Sequence, residues 1–197
     1  MSVLSGLNTK VVKNGDPAPA PPASGTIRIY NMRYCPWAQR ALIFASLKKI
    51  PTEVINIHLD QKPDWFFTKH YKGQVPALEH DEGKKIVIES AARNILILKL
   101  ISLIKINLIF KSSGTSKPGF VDYLIYPNIQ RAFWTSHIIK DFPLKVESFP
   151  GPNYPKLSKW YKRLDSIPEV IATSQPTETA VEFFKSWIIG APNFDYG

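Results

Sequence analysis

Cys35 is the only cysteine of the chain, and it lies in Met32-Arg33-Tyr34-Cys35-Pro36-Trp37-Ala38-Gln39-Arg40. A thiol can attack an electrophile or a disulfide, but only as the thiolate. Before it, Thr26-Ile27-Arg28-Ile29-Tyr30 alternates apolar and polar residues, as a strand does. After it, Ala38, Leu42, Phe44 and Ala45 recur at helical spacing up to Lys48-Lys49, and lysines suit the negative end of a helix. Cys35 therefore falls at the first turn of a helix, with Pro36 where a missing N–H is harmless. Unpaired backbone N–H groups and the positive dipole end favour a thiolate there, so the thiol pKa is expected below its free value of roughly 8.5. Arg40, about a turn further in, adds to this where its side chain folds back. Such a cysteine is a nucleophile at neutral pH without a separate base. The competing reading is a buried cysteine acting as a small hydrophobe; Cys-Pro-aromatic at a strand-to-helix turn favours the nucleophile. No second cysteine stands at C-x-x-C spacing, so any redox cycle must draw on an external thiol.

Other chemistries find little support. His58, His70, His80 and His137 show no ligand spacing, so no metal site is expected. There is no Gly-rich phosphate loop and no Ser-His-Asp signature. The formal net charge is +9 over 197 residues, yet the basic residues are dispersed with no basic run interleaved with aromatics. Nucleic acid is therefore not an expected partner, whereas a basic rim can steer an anionic small molecule. A single cysteine excludes a disulfide framework and fits a reducing compartment. Met1 to Ser24 lacks the basic start and apolar core of a secretory signal, so a cytoplasmic location is expected.

The elements that position Cys35 follow in order. Residues 1–24 carry Asp16-Pro17-Ala18-Pro19-Ala20-Pro21-Pro22, which reads as an extended, poorly packed arm ahead of a domain that starts near Gly25. Ile50-Pro51 ends the first helix, and Glu53 to Leu59 reads as a second strand, parallel to the first through a right-handed crossover. A short amphipathic helix is expected around Asp64-Trp65-Phe66-Phe67. Val75-Pro76 precedes a short apolar strand; a cis bond there would turn the Val75 backbone outward, although trans is the commoner form. Asp81-Glu82-Gly83 makes a hairpin into Lys85-Ile86-Val87-Ile88, and Glu89-Ser90 caps a following helix. The order βαβ then ββα defines an α/β unit with a mixed sheet.

On these residues, positions 25–90 resemble the thioredoxin-like domain of a glutathione transferase, and Arg33-Tyr34-Cys35-Pro36-Trp37-Ala38-Gln39-Arg40 is similar to the omega class. That class uses an active-site cysteine and carries a Pro-rich N-terminal arm. Four motifs match in register: the Cys-Pro-aromatic helix start, Asn56 to Leu59 with Lys62-Pro63-Asp64-Trp65-Phe66-Phe67, Val75-Pro76, and Glu89-Ser90. The resemblance implies that Cys35 forms a mixed disulfide with glutathione, the co-substrate. It implies that Val75, before a cis Pro76, pairs through its backbone with the cysteinyl part. Glu89 and Ser90 would take the γ-glutamyl ammonium and carboxylate, Lys62 the glycyl carboxylate, and Leu59 would line the same site. Glu89 supplies negative charge, and the Ser90 hydroxyl with helix N–H groups suits an anion. Trp37, Arg131 and Trp160 would border the pocket for a small oxidised or electrophilic substrate; against this stand core packing for the tryptophans and a surface ion pair for Arg131.

The resemblance breaks after Ser90, where an omega enzyme continues into a third helix and a long helix pair that forms the dimer interface. Here Ala91 to Phe110 is dominated by Ile, Leu, Lys and Asn with no polar face. As a membrane span it is short of the ~20 residues required and carries Lys99 and Lys105. It also reads as a buried helix, or as translated non-coding sequence that has replaced several helices. The resemblance resumes at Val121 to Pro127, where Asp122 stabilises a helix start and Gly119 stands in for the usual Ser or Thr cap. Pro155 to Leu164 and Glu178 to Ile189 are further helices. Loss of the helix pair is expected to leave Tyr123, Phe133 and Trp134 on an exposed surface.

The expected fold is thus α/β: an arm (1–24), a thioredoxin-like glutathione-binding domain (25–98) with a mixed four-stranded sheet, and a truncated all-α glutathione-transferase C-terminal domain (99–197). The expected activity is that of a glutathione-dependent thiol transferase and dehydroascorbate reductase. A truncated form that binds glutathione without turnover, and a membrane-associating relative of the chloride intracellular channels, are the alternatives. The resemblance implies a homodimer, which the missing helices oppose, and membrane association is not expected.

Overall fold

The strand ahead of Cys35 forms as β2, Ile27–Asn31, in the middle of a sheet. It is described here in a computed structural model over residues 3–88, 118–142, 144, 149 and 151–196. From β2 the chain crosses through α1, Pro36–Leu47, to β3, Thr52–Asn56, which pairs parallel with β2 from Ile27↔Thr52 to Asn31↔Asn56. The helix ends where Lys49 turns left-handed at φ 54° and the Ile50 amide reaches back to Ala45 O at 3.0 Å. β4, Ala77–His80, returns antiparallel on the other edge of β2, and β5, Lys85–Val87, pairs antiparallel with it across the expected hairpin. This is the βαβ-then-ββ order read from the sequence.

The sheet has five strands rather than the expected four, in the order β1-β3-β2-β4-β5. The additional strand is β1, Leu4–Ser5, parallel to β3, and it comes from the segment expected to be loosely packed. Leu4 and Val11 are buried, Val12 bridges to Ile57, and the Trp65 indole N–H donates to Asp16 O at 3.0 Å. The Pro/Ala composition disfavours regular structure, but the backbone finds partners on the sheet edge and the two apolar side chains find cover. Of the two compact units of the chain, Met1–Leu108 and Ile109–Gly197, the first includes this segment.

Arg28 was expected on the polar side of its strand, yet all five residues of β2 are buried. Its guanidinium donates to Glu53 Oε2 at 2.8 Å, to Glu79 Oε2 at 3.2 Å and to Ala20 O. Glu79 also accepts from Tyr30 Oη and from Lys69 Nζ, each at 2.6 Å. The arm covers this face, and burial of the charges is compensated by pairing each one.

A second cluster, Tyr30, Ile57, Phe66 and Ala77, holds the short 3-10 helix Asp64–Thr68 against the sheet. Tyr30 meets Phe66 at 5.5 Å and Trp65 at 5.9 Å between ring centroids. The loop between β3 and this helix is thereby fixed, and with it Leu59 and Lys62.

In the second unit, α2 spans Phe120–Ser136, α3 Pro155–Asp165, α4 Pro168–Ile171 and α5 Thr177–Ile188. Gly119 is the N-cap of α2, and its amide donates to Asp122 Oδ2 at 2.7 Å, the role expected of Asp122. Trp134 is not on an exposed surface: it is 1% exposed, under the Arg131 guanidinium at 4.5 Å and beside Phe184 at 6.1 Å. Tyr123 and Phe133 are half-buried. Phe133 packs edge-on to Phe149 at 5.1 Å, so aromatic neighbours supply cover that the sequence reading did not credit. Among the described residues no helix is long and apolar enough to cross a membrane; the Ile95 to Phe110 run lies outside them.

Candidate active site

Cys35 is the N-cap of α1 and Pro36 its first residue, as the spacing requires. The Cys35 amide donates to Met32 O at 2.9 Å and its carbonyl accepts from the Gln39 amide at 3.0 Å. The sulfur-bearing residue is thus locked between the end of β2 and the first helical turn, whose amides lack partners within the helix. Cys35, which forms no disulfide, is 7% exposed and lies at the wall of a cavity of about 450 Å³.

That cavity gathers residues from separate places in the chain. Trp37 comes with the helix, Leu59 and Lys62 with the loop after β3, and Val75 and Pro76 with the turn into β4. The Val75-Pro76 bond is cis, the alternative that sequence frequency alone disfavoured. Glu89 and Ser90 lie outside the described residues. Arg131 and Trp160 belong to the helical unit, where Arg131 is buried and donates to Pro127 O at 3.2 Å and Gln130 Oε1 at 3.0 Å. The Trp160 indole N–H donates to Asp122 Oδ1 at 2.7 Å.

The turn that delivers Val75 was missed. His70, Gly73 and Gln74 also line the cavity. His70 organises the turn: its amide donates to Phe66 O at 3.0 Å, its Nδ1 accepts from the Lys72 amide at 3.2 Å, and its carbonyl accepts from the Gly73 amide at 2.7 Å. Gly73 adopts φ 59°, and a Cβ there would stand 2.8 Å from the Phe67 ring and 2.9 Å from Lys62 Cδ. The one available signal was Gly73 two residues ahead of Val75-Pro76, a turn marker next to a cation.

Electrostatically the cavity favours anions. Lys62 supplies a positive charge at its wall. Arg40 lies with its guanidinium 4.2 Å from the centroid of the Trp37 ring. Burial holds the Arg40 pKa below its ordinary value, and the charge of Cys35 opposes that fall. A thiol, a lysine and a half-exposed tryptophan thus line one cavity.

Solved structures share this architecture. Glutathione transferase Omega 1C from Trametes versicolor superposes with a TM-score of 0.69 at 17% identity, over 86% of this chain and 99% of that one. Residues 34–93 match the family model described as glutathione S-transferase, N-terminal domain. A Caenorhabditis elegans protein named probable glutathione transferase omega-2 is 72% identical, and its Caenorhabditis briggsae namesake 50%, each over the full length of both chains. The chain belongs to the omega class of glutathione transferases. The first of these alignments runs to 253 positions against 197 residues here, so at least 56 positions of the relative have no counterpart.

Proposed function

We propose that the chain is a glutathione-dependent thiol transferase and dehydroascorbate reductase that works through the Cys35 thiolate. The thiolate attacks the glutathione sulfur of a mixed disulfide, the partner leaves as a thiolate, and Cys35 becomes S-glutathionylated. A second glutathione thiolate attacks that disulfide, which releases glutathione disulfide and regenerates Cys35. With dehydroascorbate, two glutathione molecules supply the two electrons and two protons that give ascorbate. Lys62 holds the glycyl carboxylate, the Val75 backbone holds the cysteinyl unit, Leu59 lines the site, and Glu89 and Ser90 take the γ-glutamyl end. Trp37 borders the second substrate. This chemistry belongs in a reducing compartment, the cytoplasm.

The observation that carries this reading is the convergence of Cys35, Lys62, Val75 and Pro76 on one cavity. Purified chain is expected to reduce a glutathione–hydroxyethyl mixed disulfide with glutathione as reductant, and Cys35→Ala to lose that activity. Equal rates in the two proteins would refute it. The shortfall of at least 56 positions favours a second reading, a form that binds glutathione without turnover. Calorimetric binding of glutathione by a folded protein with no turnover would select that reading.

A further inference from the structure

A second cavity of about 550 Å³ is lined by Asn14, Leu59, Asp60, Gln61, Lys62 and Phe67. Its volume is that of a small-molecule site. Leu59 and Lys62 line the Cys35 cavity as well, so the two cavities adjoin at the lysine assigned to the glycyl end of glutathione. The shared wall is fixed by its own bonds. His58 Nδ1 accepts from the Gln61 amide at 3.0 Å and from the Asp60 amide at 3.3 Å. The Asn14 amide donates to Gln61 O at 2.8 Å. The Lys62 stem and the Phe67 ring both close over Gly73, where a Cβ would stand 2.9 Å from Lys62 Cδ and 2.8 Å from the ring. The sign of the charge changes from one cavity to the next. The described lining of the Cys35 cavity has Lys62 and no acid, whereas the second adds the exposed Asp60. Phe67, between polar neighbours, keeps 45% of its surface exposed.

With its glycyl carboxylate on Lys62, glutathione ends where the second cavity begins. We infer that this cavity takes an extension of the thiol co-substrate: an amide at the glycyl carboxyl whose added chain ends in a primary amine. The inference rests on the proposed placement of the glycyl end at Lys62. The amide oxygen still accepts from the Lys62 ammonium, the methylene chain covers the Phe67 ring, and the new ammonium meets the Asp60 carboxylate. Outward from the thiol, the ligand thus offers an acceptor, an apolar stretch and a cation, and the two cavities offer their complements. The exchange at sulfur is the same as for glutathione.

The probes are glutathione, its glycyl amide with butylamine, and its glycyl amide with putrescine, which has the same chain length and adds the amine. Dissociation constants are measured by calorimetry on the full, reduced chain. The putrescine amide is expected to bind about fivefold tighter than the butylamide, the upper end for an ion pair in contact with solvent. In Asp60→Asn that preference should vanish while glutathione binds as before. Phe67→Ala should weaken both amides more than it weakens glutathione. Equal constants for the two amides in the unaltered chain overturn the inference, as does a preference that survives in Asp60→Asn. Either result leaves the glutathione reading standing, because glutathione itself still binds. A chain that binds no glutathione overturns both.

Discussion

Asp122 and Trp160 are joined by a hydrogen bond of 2.7 Å from the indole N–H to Oδ1, while Oδ2 of the same carboxylate takes the Gly119 amide at 2.7 Å. One side chain thus closes the first turn of α2 and fixes α3 against it. Glycine at the cap has no side chain to offer, so the carboxylate is the group that satisfies the helix start. Trp160→Phe keeps most of the ring and deletes the donor. Urea unfolding is expected to show a loss of about 1.5–3 kcal/mol, the range for a bond to a charged acceptor. Asp122→Ala should lose at least as much, and the double variant little more than Asp122→Ala alone.

Glu79 carries a sharper dependence on pH. Burial acts to raise its pKa, but hydrogen bonds from Lys69 and Tyr30 and the charge of Arg28 outweigh it and hold the carboxyl below its ordinary value. A lowered folded value means that its contribution is complete above the unfolded glutamate pKa of about 4.3 and vanishes as pH falls through the folded value. Glu79→Gln is expected to lower stability by about 3 kcal/mol near neutrality, because two buried donors lose a charged acceptor. The difference between the two proteins should stay flat from about pH 5 to pH 8 and shrink below about pH 4. Denaturant titrations across that range check both statements.

The cysteine, its helix and the hairpin were legible because each is written in neighbouring residues. Pro36 follows Cys35, Lys48 and Lys49 follow the apolar run, and Asp81-Glu82-Gly83 sits between two short strands. The buried Arg28–Glu79 pair was not legible, since it joins positions 51 apart and depends on cover from Ala20. Alternation correctly placed Arg28 opposite Ile27 and Ile29; it carried no information on whether that face met water. Trp134 illustrates the same limit, because part of its cover, Phe184, comes from α5. Among the site residues, Cys35, Trp37, Leu59, Lys62, Val75 and Pro76 reached one cavity through motif register. His70 and Gly73 escaped because their bonds run to and from the backbone of the turn, which the sequence does not display.

The N-terminal segment offers the clearest test of long-range pairing. Removing residues 1–24 exposes the sites of Leu4 and Val11, takes away the Asp16 carbonyl from Trp65, and takes the Ala20 carbonyl from Arg28. Two buried aliphatic side chains alone contribute about 3–6 kcal/mol. The truncated chain is expected to unfold at a lower urea concentration by an amount in that range. Proteolysis should then cut first near Trp65, where the lost bond had tied the segment to the loop beside Lys62.

In the proposed glutathione site, Gly73 ties backbone geometry to the position of Lys62. At φ 59° an L side chain is strained, and its Cβ would press on the Phe67 ring at 2.8 Å and Lys62 Cδ at 2.9 Å. Neither the dihedral nor the space tolerates a methyl group, so the lysine stem must move. Gly73→Ala is expected to raise the KM for glutathione roughly tenfold, equivalent to about 1.4 kcal/mol of binding. The alkylation rate of Cys35 by iodoacetamide should change less than the KM, since the added methyl group presses on Phe67 and Lys62 and not on α1. Lys62→Met should raise KM by a similar factor, through loss of charge instead of displacement. Combining the two changes should then add little, because the alanine acts through the lysine it displaces. Fully additive effects would instead mean that Gly73 acts through Val75 and the turn that carries it.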